Sequence, residues 1–450
     1  MPRAFAESGG LPEQIDMRLY SRASLIVVCY AGLLLATDLI LPLRIPEILQ
    51  ALAARHFSWG GMIGWIAQTP DSAPLSYFAQ LPFLLVWHHG RLAARFPSLV
   101  FAVAACIVLL KLFKDVPIRR PEFAIAAFML LPVHYRSATE ARAFEQALFF
   151  TVLEILLFLR LIRAPSVTRS VLYGAALTAC LYTEPYSFLP AIGQLVFLLR
   201  FVNLVHARRV IWFTLPATIA PPLLFMPYYF WAHPQASTNW ISRPGPPPAL
   251  PSLAYVLLAL LVIGFFAGLW TTFRSANRSV PKRMFLFCIA GGVLSAVSAD
   301  QLLWTAPGVI LLSFAALDWL SRSRRTRIAG SGLAALLILC CVPIDARYLT
   351  TQTEDVQAQA ATVSRELTAS SCIVFLSEGL SKDLFIFFQP QLASYECLNF
   401  FHHRVMLAIH PYVGVSYRKD ADSYFRGLGF HETRRFSEGD GEVVILEQGK

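Results

Sequence analysis

Seven ionisable side chains sit where the surrounding sequence is almost wholly apolar, and their types suit one kind of chemistry. Asp38 and Glu47 fall at or just beyond the end of the first long apolar run, and Asp71 lies further along the loop that follows it. Glu140, Arg142 and Glu145 crowd the start of another, and Glu184 stands in a turn between Tyr182 and Tyr186. A charge at membrane depth costs several kcal/mol, so each needs a role, a partner or a route to water. A carboxylate suits removal of a proton from an acceptor hydroxyl, and an arginine suits holding a phosphate leaving group. Together they are the parts of a transfer reaction on a lipid-linked anion. Singly they have plainer readings, in which Arg142 snorkels to the interface and Glu47 or Asp71 is a solvated loop charge. Glu154, Gln194 and Asp318 lie within apolar runs or at their opposite ends and read as helix-packing groups. Asp300 and Gln301 stay open between the two readings. His402, His403, His410 and His431 lack the tight spacing of a metal site.

The elements that must position these groups are membrane helices. Of the 450 residues, 56% are hydrophobic and 15% are charged, against about 25% charged in an ordinary globular domain. That balance excludes a soluble protein. Apolar runs of about twenty residues recur from Ser24 to Pro343, each long enough to cross a bilayer core. Residues 1–20 are too polar for a signal peptide, so the first run is expected to remain as an anchor. The net charge of +10 lies in short basic bursts between runs, which favours membrane orientation over nucleic-acid binding.

Lysine and arginine alternate from side to side if spans fall near 25–43, 95–113, 121–135, 143–163, 170–185, 186–202, 210–230, 253–272, 284–300, 303–320 and 328–344. This gives about eleven transmembrane helices, with residues 1–24 cytoplasmic and the C-terminus outside. Residues 75–87 are apolar but too short to cross, and read as a re-entrant or interfacial helix within an unusually long outer loop, 44–94. All seven charges map to the outer side. After Pro343 composition becomes ordinary. Residues 345–450 read as a small extracytoplasmic α/β domain with a helix-like stretch at 353–367, a strand at 372–376, an amphipathic stretch near 381–388, a further stretch at 413–417, a helix at 421–427, and strands at 430–436 and 442–446. Cys372 and Cys397 are the two cysteines outside the apolar runs. In an oxidising compartment they form either a disulfide or two unpaired core thiols.

Four short motifs then appear in a meaningful order: Ile45-Pro46-Glu47-Ile48, Asp71-Ser72-Ala73-Pro74-Leu75-Ser76-Tyr77-Phe78, Arg95-Phe96-Pro97-Ser98, and Tyr135-Arg136-Ser137-Ala138-Thr139-Glu140-Ala141-Arg142. With Leu181-Tyr182-Thr183-Glu184-Pro185-Tyr186 they resemble the GT-C glycosyltransferases that use polyprenyl-phosphate sugars, particularly the branch of protein O-mannosyltransferases and lipid A aminoarabinose transferases. The resemblance covers roughly residues 25 to 200. It implies an all-α polytopic fold with a small C-terminal α/β domain. It also implies a bacterial inner-membrane enzyme and transfer with inversion to a glycan, lipid or protein acceptor. The implied catalytic residues are Glu47, Asp71 and Asp38, and the implied substrate-binding residues Arg142, Glu140, Tyr135, Glu184 and Tyr77. No cofactor is implied, although a divalent cation is compatible.

The departures shape the expectation. The family's usual aspartate slot holds Pro46, its His-Pro-Pro is reduced to Ala73-Pro74, and Asp300-Gln301-Leu302-Leu303-Trp304 replaces a later arginine-bearing segment. Three alternatives follow: Glu47 serves as the base, Asp38 reaches in from the span, or catalysis is lost. A transporter of a lipid-linked substrate is the main reading of another class. It would more often show inverted repeats and broken mid-membrane helices, and no such symmetry is evident.

Overall fold

The computed structural model describes residues 17–55, 73–87, 90–115, 118, 120–200, 205–232, 335–336, 338–347, 355–368, 371–376, 381–397, 404–409, 415–438 and 441–448. The expected spans at 253–272, 284–300 and 303–320 lie outside these residues, as do Asp71, Asp300, Asp318, His402, His403 and His410.

The helical part runs α1 (Met17–Ile40), α2 (Ile45–Arg55), α3 (Leu75–Val86), α4 (Arg91–Asp115), α5 (Pro121–Met129), α6 (Pro132–Ala138), α7 (Phe144–Arg163), α8 (Val167–Thr183), α9 (Leu189–Arg200) and α10 (Val205–Ala232). Three stretches among the described residues, Tyr20–Ile40, Arg91–Asp115 and Arg209–Phe230, are long and apolar enough to cross a membrane. The segment expected to lie along the membrane is the helix α3. One expected span, 121–135, is corrected: it is two helices with a break at Leu130–Leu131. Pro132 is the cause, because proline pushes the residue before it out of helical geometry and fits the first turn of the next helix. Leu131 is accordingly extended, at φ −65° and ψ 123°.

A core drawn from α1, α4, α5, α7 and α8 holds the bundle, with Leu34, Leu109, Phe113, Phe128, Phe158 and Tyr173 fully buried. Where α8 crosses α10, a side chain at Gly174 would meet the Ala217 carbonyl at 3.3 Å. Small residues permit such close crossings. Four prolines lie inside α10, while Thr214 and Thr218 return hydroxyl bonds to Val210 O and Thr214 O at 2.8 and 2.9 Å.

The tail contains α11 (Val356–Glu366), β1 (Ser371–Leu376), α12 (Ser381–Phe388), β2 (Arg404–Ile409), α13 (Val415–Gly427), β3 (Phe430–Glu438) and β4 (Gly441–Gln448). The sheet order is β1-β2-β4-β3, with β1 and β2 parallel and the other pairs antiparallel. Strand residues alternate between two cores. Ile373, Met406, Ala408, Val443 and Ile445 join α11 and α12, and Cys372, Val405, Leu407, Val444 and Leu446 join Phe425 of α13. The first of these cores also takes in Leu43, Ile48, Ala51, Tyr77, Leu84 and Ala141 of the helical part. Strand β2 is absent from the sequence reading. It is buried along almost its whole length, so it reads as a continuous apolar run without alternation. Residues 415–417, within the stretch 413–417, belong to α13. Cys372 and Cys397 form a disulfide.

Candidate active site at the tail-side end of the bundle

Beyond the end of α1 the chain turns sharply and leaves the Leu41 and Pro42 carbonyls pointing inward. Arg95, fully buried on α4, donates to both, at 2.9 and 2.7 Å. The other edge of its guanidinium forms a two-pronged pair with Glu47 of α2, Nε to Oε1 and Nη2 to Oε2, both 2.8 Å. Glu47 also accepts the Arg44 N–H at 2.7 Å and the Ala141 N–H at 2.6 Å. One buried ion pair thus ties α1, α2, α4 and the turn between α6 and α7 at a single point. The carboxylate has four donors on its two oxygens.

The same turn carries Glu140. Its carboxylate accepts from Arg44 at 2.8 Å and Arg136 at 2.9 Å, and its backbone carbonyl accepts from Ser98 at 2.7 Å. Burial alone would raise the Glu140 pKa, but Arg136, Arg44 and Arg142 together outweigh it and hold the group below its usual 4.5. Two residues on, Arg142 lies 4.3 Å from the centre of the Phe144 ring. Its guanidinium makes no hydrogen bond among the described residues. It borders a crevice lined also by Gln50, Ser76, Gln80, Phe101 and Gln146.

Asp38, near the end of α1, is fully buried, and neither of its oxygens has a hydrogen-bond partner. The charges of Arg95 and Glu47 act on it. Its neighbour Thr37 bonds the Tyr135 hydroxyl at 3.0 Å. Two turns earlier on the same face of α1, Tyr30 bonds His134 Nδ1, also at 3.0 Å. His134 Nε2 in turn lies 3.4 Å from Glu145. Helix α6 is thus joined to α1 at two points, the second at the residue before Asp38.

The structure therefore gathers Asp38, Glu47, Glu140, Arg142 and Tyr135 around one end of the bundle. Tyr77 is buried on α3. It belongs with an aromatic wall in which Tyr182 meets Phe225 and Tyr228 at centroid distances of 5.3 and 6.2 Å. Glu184 follows α8 at the same wall, buried, with its N–H bonded to Cys180 O at 2.9 Å. Glu154, read as a packing group, is fully buried and accepts from Gln194, itself bonded to Tyr173 at 2.9 Å.

The sequence reading missed Arg44, Arg95 and Arg136 as members of the cluster. Their signal was present: arginines are scarce on the outer side by the orientation rule, so several in one region ask for buried acids or an anion. The described residues hold no group of three His, Cys, Asp or Glu side chains suited to a metal ion.

The architecture is thus a helical bundle with this charge cluster at one end and a small α/β domain packed against it. Two solved structures share it: ArnT from Cupriavidus metallidurans bound to undecaprenyl phosphate, and the same protein in the apo state. The first matches with a TM-score of 0.58 at 14% identity over 93% of this chain and 97% of that one. The second matches with a TM-score of 0.58 at 14% identity over 94% and 98%. At that identity the likeness establishes the fold. No family model and no curated relative matches the chain.

Proposed function

We propose that the protein is an inverting glycosyltransferase of the bacterial inner membrane, moving a sugar from a polyprenyl-phosphate donor to an acceptor on the extracytoplasmic side. The observation that carries this reading is Arg142, a guanidinium without a hydrogen bond among the described residues, beside a crevice in a cluster that also holds the unbonded carboxylate of Asp38. The ArnT fold supports it, one of those structures being bound to undecaprenyl phosphate.

In this mechanism the acceptor oxygen attacks the anomeric carbon as its proton passes to a carboxylate. The bond from that carbon to the phosphate oxygen breaks, and its electron pair leaves with the lipid phosphate, which Arg142 steadies. Asp38 has a stronger claim than Glu47 to be the base, because its oxygens are free while those of Glu47 are committed to Arg95 and two backbone N–H groups. Asp71 is the second carboxylate proposed for the site. Tyr135 acts through Thr37, and Glu140 by fixing the turn that presents Arg142. Tyr77 and Glu184 would line the aromatic wall toward the lipid.

The test is transfer by membranes containing the full chain, from a panel of polyprenyl-phosphate sugars. Loss of a positioned base should lower turnover about 10²- to 10⁴-fold in Asp38→Asn. Loss of the cation should cost about 10²- to 10³-fold in Arg142→Ala. Lipid translocation with no transfer from any donor would replace this reading with a transporter.

A further inference from the structure

At the far end of α4 from Arg95 lies a second charge cluster, which the transferase reading does not use. Along the two connections there, 111–122 and 160–170, stand seven lysines and arginines against two acids. One of those acids organises the cluster. Asp115, the last residue of α4, accepts from Arg163 of α7 on its carboxylate and again on its carbonyl, the latter at 2.6 Å, and it lies 3.8 Å from Arg160. Arg169 of α8 donates to the Arg160 and Ala164 carbonyls at 3.2 and 2.6 Å, closing the turn that carries Arg163. Two guanidiniums therefore converge on one carboxylate, and both remain nearly half exposed. Lys111, also exposed, stands one turn before Asp115 on the same face of α4. Apolar surface leads up to these cations. Val100 and Ile107 of α4 are 40% and 46% exposed, and Val167 and Val171, on either side of Arg169, are 68% and 64% exposed. Ile107 precedes Lys111 by one turn, so the exposed strip of α4 changes from hydrocarbon to ammonium along its own length. Helix α4 is long and apolar enough to cross a membrane, which puts this change where acyl chains meet phosphates.

We propose that this end of the bundle binds an anionic phospholipid, with its phosphate among Arg160, Arg163 and Lys111 and an acyl chain against Ile107. Guanidinium N–H groups match phosphate oxygens in pairs, which makes arginine the better of the two cations for such a group. Asp115 sets the spacing of the two arginines, and its single charge leaves the cluster positive. Orientation during membrane insertion accounts for basic residues at this end. It does not account for two arginines gathered by one acid at the foot of an apolar strip, which is the pattern of a headgroup pocket between helices. The strip is what fits a lipid in preference to a free phosphate. Because the cluster and Arg142 lie at opposite ends of α4 and α7, the proposal stands apart from the transferase reading.

The experiment is native mass spectrometry of the purified full chain in detergent, titrated with dioleoyl phosphatidylglycerol or dioleoyl phosphatidylcholine. Wild type should hold phosphatidylglycerol about tenfold or more tightly than phosphatidylcholine, and Lys111→Gln with Arg160→Gln should weaken it about fivefold per charge removed. Ile107→Asn should weaken it too, by spoiling the acyl contact without touching a charge. If the double variant fails to insert, Lys111→Gln alone carries the test, since its loss leaves both arginines beside Asp115. Equal affinity for the two lipids would overturn the proposal. So would an equal loss from Arg22→Gln, which removes an exposed cation of α1 and would reveal diffuse attraction to the whole end of the bundle. Displacement of phosphatidylglycerol by millimolar inorganic phosphate, with Ile107→Asn binding like wild type, would make this a free-phosphate site and overturn the lipid assignment.

Discussion

Glu47 and Arg95 form a buried pair whose side chains are 1% and 0% exposed. A pair of this kind is sensitive to losing one member, since the other is left as an uncompensated charge costing roughly 3–5 kcal/mol. Glu47→Ala and Arg95→Ala should each lower the thermal midpoint sharply in detergent. The double variant Glu47→Met, Arg95→Leu should recover much of that loss, because replacing both ions removes the penalty. The double variant also separates roles: retained transfer means Glu47 fixes the site, and transfer lost from a well-folded double variant makes Glu47 the base. Glu140 adds a pH dependence with a definite sign. Its folded pKa lies below its unfolded value, so its contribution is present above about 4.5 and is lost as pH falls through the folded pKa. Glu140→Gln should flatten the acid limb of the stability profile; an unchanged limb would remove Glu140 as its cause. Glu47, Glu140 and Arg142 were legible as charges in apolar sequence. Which acid pairs with which arginine was not, because such a pair spans 48 residues in one case and 96 in another.

At the scale of elements, helix positions followed from the apolar runs, and α4, α7, α8 and α10 lie close to the expected spans. The deviations have local causes: Pro132 divides a span, and β2 hides as an unpatterned apolar run. The crossing of α8 and α10 is a further case, invisible until Gly174 is seen against Ala217. Gly174→Leu forces these helices apart, and overpacking of this type costs about 1–3 kcal/mol. Tyr182 is the reporter, since its hydroxyl bonds Leu224 O across the same pair at 2.8 Å. The variant should unfold earlier and expose the aromatic wall to quenchers. A thermal midpoint equal to wild type would show that the crossing has slack.

The whole molecule raises the question of whether the tail is a tethered domain or part of one body. Composition marks a boundary near Pro343, which argues for a separate unit. Packing argues the other way. Phe385 and Phe387 of α12 share a core with Ile48 and Ala51 of α2, and Arg55 stacks over Phe387 at 5.4 Å. Arg91 donates to Gln357 at 2.5 Å and to Ile40 O at 2.8 Å, joining the tail to the end of α1. Domains linked only by a flexible connection unfold separately, whereas a shared apolar core couples them. The disulfide gives a handle on the tail alone, because Cys372 and Cys397 are 25 residues apart and opening such a loop should cost about 3 kcal/mol by the chain-entropy account. In the Cys372→Ala, Cys397→Ala variant the tail strands and α2 should lose hydrogen-exchange protection together. Protection lost from the strands while α2 keeps its own would show two independent bodies. In that case removal of the tail would leave the site around Glu47 and Asp38 undisturbed.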